Sequence, residues 1–456
     1  MDFLGLPREA LARRRTRLMD ALGGQPALLV AGEPRPRNYR ANTYPFRPHS
    51  HFLYFFGWGV PGAVALFANG AATLYVPATT ADDALWSGPA PDLAQLTTAL
   101  GVDVLPLSDL PQRRVSDFAT LAAPDADTRG RQALLLGRDL ERISGPDASL
   151  ADAVISLRLQ HDDAAVAELR AAARATAAAH RAGMRATAPG IRESAVRAAM
   201  EAELTSRGHG TAYGSIVTVH GEILHNENHH NVLEVEDLLL ADVGAETPGG
   251  WAGDVTRTWP VSGRYSSEQA DIYDVVLAAQ RAAIAAARPG ARYRDIHLVA
   301  AESLASGLRD LGVLRGDPAE RARDGTAALL FPHGVGHLLG LDVHDMEDLG
   351  DRAGYAPGRQ RSAEPGLRYL RLDRDLLPGM AVTIEPGLYF VPAALDDADT
   401  RRRTGDRVDW TRLDRYRRLR GIRIEDDILI TATGAEVLTA AIPKERNEIE
   451  TIQAGG

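Results

Sequence analysis

The sequence predicts an α+β protein of two domains, a smaller α/β domain over residues 1–158 and a larger domain over residues 159–456. Three observations support this prediction. The 456 residues are more than a single hydrophobic core usually holds. The first part of the chain alternates short apolar runs with helical stretches. The second part contains two similar helix pairs, each followed by strand-like sequence, which indicates two related halves.

Composition and charge narrow the classes of function. Apolar residues make up 45% of the chain and charged residues 25%, as in ordinary soluble proteins. The absence of cysteine excludes disulfides, Cys-ligated zinc sites and thiol nucleophiles. The chain starts without the apolar stretch of a signal peptide, and it contains no run of 18 apolar residues that could span a membrane. Because the net charge is −10, nucleic-acid binding is not expected. We therefore expect a cytoplasmic protein that binds neither nucleic acid nor a membrane.

The first domain is expected to contain short strands and helices. Helices are predicted near residues 8–22 and 90–100. Farther along, His161 and Asp162 begin a long Ala-rich helix that ends at about Thr187, where Ala-Pro-Gly follows. Four short apolar runs are typical of strands: PALLVAG, AVALFAN, ATLYVP and ALLLG.

The larger domain carries a faint internal repeat. Pro-Gly occurs at 189–190 and again at 289–290, each time after one helix and before a second amphipathic helix. Two related halves of this kind would bring their functional residues together in the middle of the domain. The alternative is that Ala-rich helices merely look alike. Two stretches, 347–375 and 392–418, do not look like core and are expected to be insertions near the site or solvated surface loops.

Two aspartates lie on a predicted β-hairpin. Asp242 follows three leucines and Ala241 on an apolar strand, where an unpaired carboxylate is costly. Asp254 follows the Gly-Gly turn at 249–250, so a hairpin can bring both carboxylates to one face. Either aspartate alone would be explained as a turn or edge residue, but the two together indicate a shared role.

Three histidines follow in the segment HGVGHLLGLDVHD. Gly334 and Gly336 make an ordinary helix unfavourable there and suggest backbone packed close to a ligand. One imidazole of His333, His337 and His344 could bind a metal, and the others could donate to a substrate carbonyl or a tetrahedral intermediate. For a lone histidine a structural role is the commoner explanation, but three within twelve residues favour function.

Two glutamates complete the set of acidic candidates. Glu385 lies in VTIEPGLYF, at the end of a strand that Pro386-Gly387 is expected to stop. Glu425 lies in IRIEDDILI, predicted as one alternating strand on which Arg423 shares its face. Such an arginine forms either a plain cross-strand ion pair or a restraint on metal ligands. Residues 218–231 are rich in histidine, which alone would indicate a weak adventitious metal site.

The four carboxylates and one imidazole predict a metal site. Oxygen-rich ligation with a single histidine suits divalent ions such as Mn²⁺. Four carboxylates are too many for one catalytic ion, but they suit two ions about 3.5–4 Å apart, as in aminopeptidases. The predicted ligands are Asp242, Asp254, His337, Glu385 and Glu425.

These residues and their flanking segments resemble the pita-bread metallopeptidases, in the branch of aminopeptidase P and prolidase. ILHNEN, HGVGH, LGLDVHD, EPGLYF and GIRIEDD are similar to segments of that family. ANTYPFRPHSHFLYFFGW (41–58) resembles the amino-terminal domain of bacterial aminopeptidase P. EPGLRYLRLDRDLLPGM and LYFVPAALDDAD look more like prolidase, and the interval between the two aspartates is one residue longer than the family pattern.

The resemblance implies a fold, a reaction and a site. The fold is a pita-bread catalytic domain, with pseudo-duplicated helices and antiparallel sheet, behind a smaller α/β domain. The reaction is hydrolysis of the bond between an N-terminal residue and a following proline, by a water or hydroxide shared between two divalent ions. Mn²⁺ is preferred, with Zn²⁺ and Co²⁺ as alternatives. Glu385 would carry the proton, His225 would donate to the oxyanion, and His333 and His344 would line the proline side.

Alternatives to a Xaa-Pro aminopeptidase remain open at this point. A dipeptidase (prolidase) would need a cation for the proline carboxylate, for which Arg401 and Arg418 are candidates. A metal-free creatinase or a catalytically inactive binding protein of this fold is disfavoured, because the five ligands are intact. The family also implies a homo-oligomer, a dimer or tetramer, with Trp86 as a candidate contact; a tryptophan in the core is the alternative.

Overall fold

The computed structural model describes residues 5–110, 115 and 117–455. They form two compact units, Met1–Ala165 and Val166–Gly456. Within the described ranges, no helix combines the length and the apolar character needed to cross a membrane.

The first unit is an α/β unit built on one mixed sheet. Strands β1, β2 and β3 pair antiparallel in that order, while β4 runs parallel to β3 and β5 runs parallel to β1. Its elements are α1 (Arg8–Leu22), β1 (Ala27–Val30), α2 (Ser50–Phe56), β2 (Val64–Ala68), β3 (Ala71–Val76), α3 (Ala81–Ser87), α4 (Leu93–Leu100), β4 (Asp103–Pro106), β5 (Ala119–Thr120), α5 (Ala126–Leu136) and α6 (Pro146–Arg158).

Three of the four predicted strands are confirmed. PALLVAG, AVALFAN and ATLYVP supply β1, β2 and β3, and α1 and α4 occupy the predicted helical stretches. The fourth prediction is wrong, because ALLLG is the last turn of α5. In that helix Thr128, Gln132 and Leu136 are buried at helical spacing, while Leu134 is 85% exposed. A run of four apolar residues fits either period, and the cap at Asp125, which accepts the Thr128 N–H, favours the helix.

Trp86 lies near the end of α3 and is 84% exposed. The alternative of a core tryptophan is therefore wrong. Self-association through this surface stays a prediction.

The second unit combines long helices with small antiparallel sheets. Helix α7, of which all but the first three residues belong to this unit, begins at Asp163, two residues later than predicted, because Asp162 accepts the Ala165 N–H at 2.9 Å as a cap. The elements are α7 (Asp163–Ala186), α8 (Glu193–Ser206), β6 (Gly210–Thr211), β7 (Ile216–Thr218), β8 (Leu238–Asp242), β9 (Ala245–Glu246), β10 (Thr256–Pro260), α9 (Ser267–Ala286), α10 (Tyr293–Asp310), α11 (Pro318–Arg323), α12 (Asp351–Gly354), β11 (Ala381–Ile384), β12 (Gly387–Tyr389), α13 (Pro392–Leu395), α14 (Ala398–Thr404), α15 (Trp410–Asp414), β13 (Gly421–Arg423), β14 (Asp426–Ile430), β15 (Ala435–Val437) and α16 (Arg446–Ala454).

The predicted internal repeat is present. Helices α7 and α8 precede the antiparallel sheet β10-β8-β7, and α9 and α10 precede the antiparallel sheet β11-β14-β15. The turns between the helices match closely. Gly190 and Gly290 both have a positive φ, and they donate their N–H groups to Leu233 O and Leu376 O at 2.8 Å in both cases. The same local conformation thus ties each helix pair to the connection that leads into a strand of its own half, before β8 in the first and before β11 in the second.

The second half contains a ladder of strands that is broken in two places. Strand β11 pairs with β14, and β12 pairs with β13, both antiparallel. The breaks fall at Glu385–Pro386 on one side and at Ile424–Glu425 on the other. Proline cannot donate to a ladder, so Pro386 favours a break at this point. The predicted end of a strand before Pro386 is confirmed, since β11 ends at Ile384, although Gly387 already begins β12. The prediction of one strand in IRIEDDILI is wrong, because that segment forms two strands, β13 and β14.

Candidate metal centre

The aspartate hairpin is built by strands β8 and β10. Asp242 is the last residue of β8 and pairs with Thr256, the first residue of β10. Asp254 comes two residues before β10 and is buried. The two arms approach closely at Gly244, where a Cβ would lie only 1.8 Å from Gly253 O. Glycine is required at this position because a side chain would force the hairpin open. The prediction that a hairpin brings both aspartates together is confirmed.

His337 reaches the same place from an irregular segment fastened to β11. Its backbone N–H lies 3.2 Å from Thr383 Oγ1, and Thr383 donates its own N–H to His337 O at 3.0 Å. A Cβ on Gly336 would lie 2.3 Å from Thr383 O. Gly336 therefore allows close packing against other backbone. Gly334 lines the cavity described below, so the suggested approach of its backbone to a ligand stays a prediction. As predicted, no helix forms there.

The His337 ring is oriented for an interaction through Nε2. Its Nδ1 lies 3.0 Å from Leu338 O, and because a carbonyl can only accept, Nδ1 carries the hydrogen. The other nitrogen, Nε2, lies 3.3 Å from Asp254 Oδ2 and 3.6 Å from Glu385 Oε1. The hydrogen bond to Leu338 O thus orients the ring so that Nε2 faces two carboxylates.

The two glutamates occupy the breaks in the strand ladder. Glu385 directly follows β11 and donates its N–H to Val335 O at 2.8 Å. Glu425 directly precedes β14, and its Oε2 accepts the Thr256 hydroxyl at 2.7 Å. Asp254, His337 and Glu425 each offer one ligand atom, and these atoms all lie within 4.8 Å of one another. The first and second halves of the unit therefore contribute to one cluster.

All the predicted site residues line one cavity of about 290 Å³, called here the central cavity. Arg423 lies inside it, donating to Asp242 Oδ2 at 2.5 Å and to Thr256 Oγ1 at 2.8 Å. His225 is exposed on the loop between β7 and β8. The predicted residues that line the cavity are His225, Asp242, Asp254, His333, His337, His344, Glu385, Arg423 and Glu425.

The cluster carries more negative charge than its neighbours offset. Burial raises the pKa of Glu425 well above its usual range, and the carboxylates of Asp254 and Glu385 raise it further. Burial also raises the pKa of Glu385 to about 7. Burial works against charge on His337, but its contact with Asp254 and the charge of Glu385 raise its pKa to about 9. The convergence of several buried carboxylates thus makes Glu425, Glu385 and His337 hold their protons more tightly than usual.

The contact of Tyr213 with both aspartates tests whether a metal fits here. Its hydroxyl oxygen lies 2.5 Å from Asp242 Oδ1 and 2.6 Å from Asp254 Oδ1. A phenol has one proton and can donate to only one of them at a time. The second carboxylate oxygen then contacts the phenol oxygen without a proton between them. A bound cation would offset the repulsion between these two oxygens. Together with one imidazole, this donor set fits divalent ions that prefer oxygen and nitrogen ligands.

Several residues of the site were not predicted from the sequence. Tyr213 contacts residues 29 and 41 positions away, so no local pattern indicates it. Tyr389 lies 2.8 Å from His333 Nε2 through its hydroxyl, which also accepts from Arg423 Nη1 at 3.2 Å. The available signal for Tyr389 was its place in EPGLYF, four residues after Glu385 and at the end of the strand that follows the break.

The predicted cations of the dipeptidase alternative lie elsewhere. Arg401 donates to Leu395 O and stacks over the Trp410 ring, with its guanidinium carbon 4.4 Å from the ring centroid. Neither Arg401 nor Arg418 is among the residues that line the central cavity as the structure describes it. Arg371, from the 347–375 stretch, lines it instead, beside Tyr369. The prediction that Arg401 or Arg418 reaches the site is therefore wrong for this cavity.

Comparison with known proteins gives a consistent picture. Residues 167–432 match the model of metallopeptidase family M24, and residues 11–120 match that of the aminopeptidase P N-terminal domain. The chain is 30% identical to the Xaa-Pro dipeptidase of Homo sapiens, over 100% of this chain and 95% of the relative. It is 31% identical to the Xaa-Pro aminopeptidase of Escherichia coli K12, over 98% of both.

Solved structures are similar over the whole length. The aminopeptidase PepP of Pseudomonas aeruginosa superimposes with a TM-score of 0.82 at 30% identity, covering 99% of this chain and 98% of that one. Aminopeptidase P of E. coli, in a structure with the inhibitor Pro-Leu, gives a TM-score of 0.81 at 29% identity, covering 99% of both chains.

Proposed function

Because the chain belongs to metallopeptidase family M24 and carries the amino-terminal domain of aminopeptidase P, we propose that it is a Xaa-Pro aminopeptidase that works with two divalent ions, preferably Mn²⁺. Family membership makes it a metallopeptidase of the Xaa-Pro aminopeptidase and dipeptidase group, and the family implies divalent metal ions. The proposal adds the number of ions, the preferred metal and the accepted length of peptide.

The observation that carries the proposal is the convergence of four carboxylates and one imidazole on the central cavity. Asp242, Asp254, His337, Glu385 and Glu425 are the proposed ligands, and Asp254, His337 and Glu425 already have the closeness that one ion requires. When bound, the two ions would lower the pKa of a water molecule and polarise the scissile carbonyl.

The protein's own side chains supply positioning and proton transfer. Glu385 is the proposed proton carrier, since its carboxylate lines the cavity between His337 at 3.6 Å and His333 at 4.0 Å. His225, exposed at the cavity, is the proposed donor to the developing oxyanion. Arg423 holds Asp242 through a charged hydrogen bond and thereby fixes the orientation of that carboxylate.

His333 and His344 are proposed to line the proline side. His333 is positioned by the Tyr389 hydroxyl, and the His344 ring packs against His337 with its centroid 4.3 Å away. The amide before proline has no N–H and the ring fixes the chain direction, so recognition depends on shape at this end. The free amine of the peptide would sit against the carboxylates, where its positive charge is favoured.

A dipeptidase is the second candidate, and one observation favours it. Arg371 places a guanidinium on the central cavity, where it can pair with the free α-carboxylate of the proline in a dipeptide. The aminopeptidase stays first because the amino-terminal segment 41–58 resembles that of bacterial aminopeptidase P.

The deciding experiment compares hydrolysis of Ala-Pro, Ala-Pro-Ala and Ala-Ala-Ala by the protein loaded with Mn²⁺. We expect turnover of both proline peptides and little of Ala-Ala-Ala. A kcat/KM for Ala-Pro about tenfold above that for Ala-Pro-Ala, or roughly 1.4 kcal/mol in transition-state stabilisation, would move the assignment to dipeptidase. Equal turnover of Ala-Ala-Ala would overturn proline specificity altogether.

A further inference from the structure

Arg371 lines two neighbouring cavities. Together with Tyr369 it lines the central cavity. The same two residues also line a cavity of about 210 Å³, called here the side cavity. Glu347, Asp351 and Arg361 also line the side cavity. A group in the side cavity can therefore act on the charge that Arg371 presents to the substrate.

Glu347 makes the decisive contact. Arg371 Nη1 donates to Glu347 Oε2 at 2.5 Å. The same oxygen lies 3.6 Å from Nδ1 of His344, another residue of the central cavity. Glu347 itself lines only the side cavity among the cavity walls that the structure describes. The Glu347 carboxylate thus contacts Arg371 and lies close to His344, two side chains of the proposed substrate site, without lining the central cavity itself.

The backbone that carries Glu347 is held in an uncommon conformation. Met346, directly before it, is buried and has a φ of 60° and a ψ of 20°. A bulky residue rarely adopts this left-handed region, which persists only where the surroundings determine it. Asp345, one residue earlier, donates its N–H to Leu338 O at 3.1 Å, next to His337. The position of Glu347 is therefore set by the fold of the site.

The consequence concerns how far a peptide can extend beyond proline. The side chain of Arg371 is 38% exposed, so water screens part of its charge and the loss of its partner carries a small cost. A dipeptide brings its own carboxylate to this position, whereas a longer peptide brings a neutral amide bond. With Glu347 in place, the guanidinium stays paired when the longer peptide binds.

We propose that Glu347 is a resident counter-ion of Arg371 that lets the site accept peptides extended beyond proline. This inference rests on the proposed function, because it presupposes that proline binds on the His333 and His344 side. Glu347 acts through Arg371 and is a positioning residue. Substrate carboxylate and Glu347 compete for one guanidinium, so the strength of the Glu347 pair sets the preference for length.

The test uses Glu347→Gln, which keeps the shape of the side chain and removes its charge. Asp351→Asn is the matched control, since Asp351 pairs with Arg361 at 2.6 Å and that arginine lines the side cavity alone. The measured quantity is kcat/KM for Ala-Pro-Ala divided by that for Ala-Pro, with the full chain and Mn²⁺. We expect this ratio to fall about fivefold in Glu347→Gln, chiefly through KM, and to change by less than about twofold in Asp351→Asn.

The outcomes separate this inference from the proposed function. An active wild-type protein whose ratio is the same in Glu347→Gln overturns the role of Glu347 and leaves the proposed function intact. A wild-type protein that hydrolyses neither peptide overturns the proposed function, and the role of Glu347 with it. If Glu347→Gln folds poorly, Glu347→Asp replaces it, and inhibition by proline is compared with inhibition by prolinamide. In either variant, the ratio of the two inhibition constants should shift in favour of proline relative to the wild type. An unchanged ratio contradicts the proposal.

Discussion

Arg257 and Asp426 form an ion pair in which both side chains are completely buried, with Nη2 of the arginine 2.8 Å from Oδ1 of the aspartate. The pair lies behind a proposed metal ligand, because Arg257 Nη1 also donates to the carbonyl of Glu425. All five N–H groups of the guanidinium have acceptors; the others are on Pro443, Ile442 and Thr256. Asp426 accepts in addition from Lys444 at 2.6 Å. The network fixes the backbone on which Glu425 enters the site.

Arg257→Met should therefore destabilise the protein strongly. The change takes away the arginine partner of the fully buried Asp426 carboxylate, which keeps only Lys444 as a cation, and it removes the hydrogen bonds to four backbone carbonyls. We expect a loss of about 3–5 kcal/mol in the free energy of unfolding, measured by urea denaturation. Arg446→Met is the control, because Arg446 pairs with Asp274 at the surface and should cost less than about 1 kcal/mol. A similar loss in both variants contradicts this role of the buried pair.

Asp254→Ala should lose most of the bound metal. Asp254 belongs to the buried ligand trio, which it forms with His337 and Glu425. It is also one of the two aspartates that contact the Tyr213 hydroxyl. Metal analysis after dialysis against Mn²⁺ should give two ions per chain for the wild type. The surface variant Asp274→Ala should behave like the wild type. Full occupancy in Asp254→Ala would remove Asp254 from the ligand set.

His225→Ala should keep its metal and lose turnover. His225 lines the central cavity but is not part of the buried ligand trio. Removal of one oxyanion donor typically lowers kcat by roughly 10²–10³-fold. His230→Ala is the control, since His230 is exposed on the same His-rich loop and does not line this cavity as described. If His225→Ala loses metal instead, its proposed role as an oxyanion donor is wrong.

Acid should destabilise the protein partly through His297. This side chain is buried against Phe331, with ring centroids 5.2 Å apart, and burial lowers its pKa to about 4, helped by the nearby charge of Arg294. In the unfolded chain its pKa is about 6.5. Because the folded pKa is the lower one, the contribution to stability is full above pH 6.5 and is lost as the pH falls towards 4. The loss amounts to roughly 3 kcal/mol.

His297→Leu provides the test of this pH dependence. The variant cannot take up the proton, so its free energy of unfolding should fall less than that of the wild type between pH 7 and pH 4.5. Urea denaturation at the two pH values gives both differences. If the two proteins lose the same amount, other groups account for the acid sensitivity.

The sequence predicted the residues of the site better than the contacts between them. Asp242 after an apolar strand and the histidines beside glycines are local patterns, and all of them line one cavity. The break at Ile424–Glu425 could not be predicted, because an alternating run does not show that β13 and β14 change partners. The segment ALLLG fails for a different reason, because four apolar residues fit the helical and the strand period equally well and only the cap at Asp125 decides for the helix. Tyr213 carries no local signal, because its role depends entirely on distant carboxylates.

Tyr213→Phe should make the protein more dependent on metal for its stability. The variant keeps the ring but removes the hydroxyl that lies against both Asp242 and Asp254. Without metal, the two carboxylates lose a shared donor, and the free energy of unfolding should fall by about 1–3 kcal/mol. With Mn²⁺ bound, the cation takes over the compensation of these oxygens, so the rise in Tm on adding metal should be larger in Tyr213→Phe than in the wild type. Tyr265→Phe is the matched control, because its hydroxyl donates to a backbone carbonyl, Thr258 O, at 2.8 Å and to neither aspartate. That variant should lose stability equally with and without metal, and the same behaviour in Tyr213→Phe would show that the hydroxyl and the metal do not serve the same oxygens.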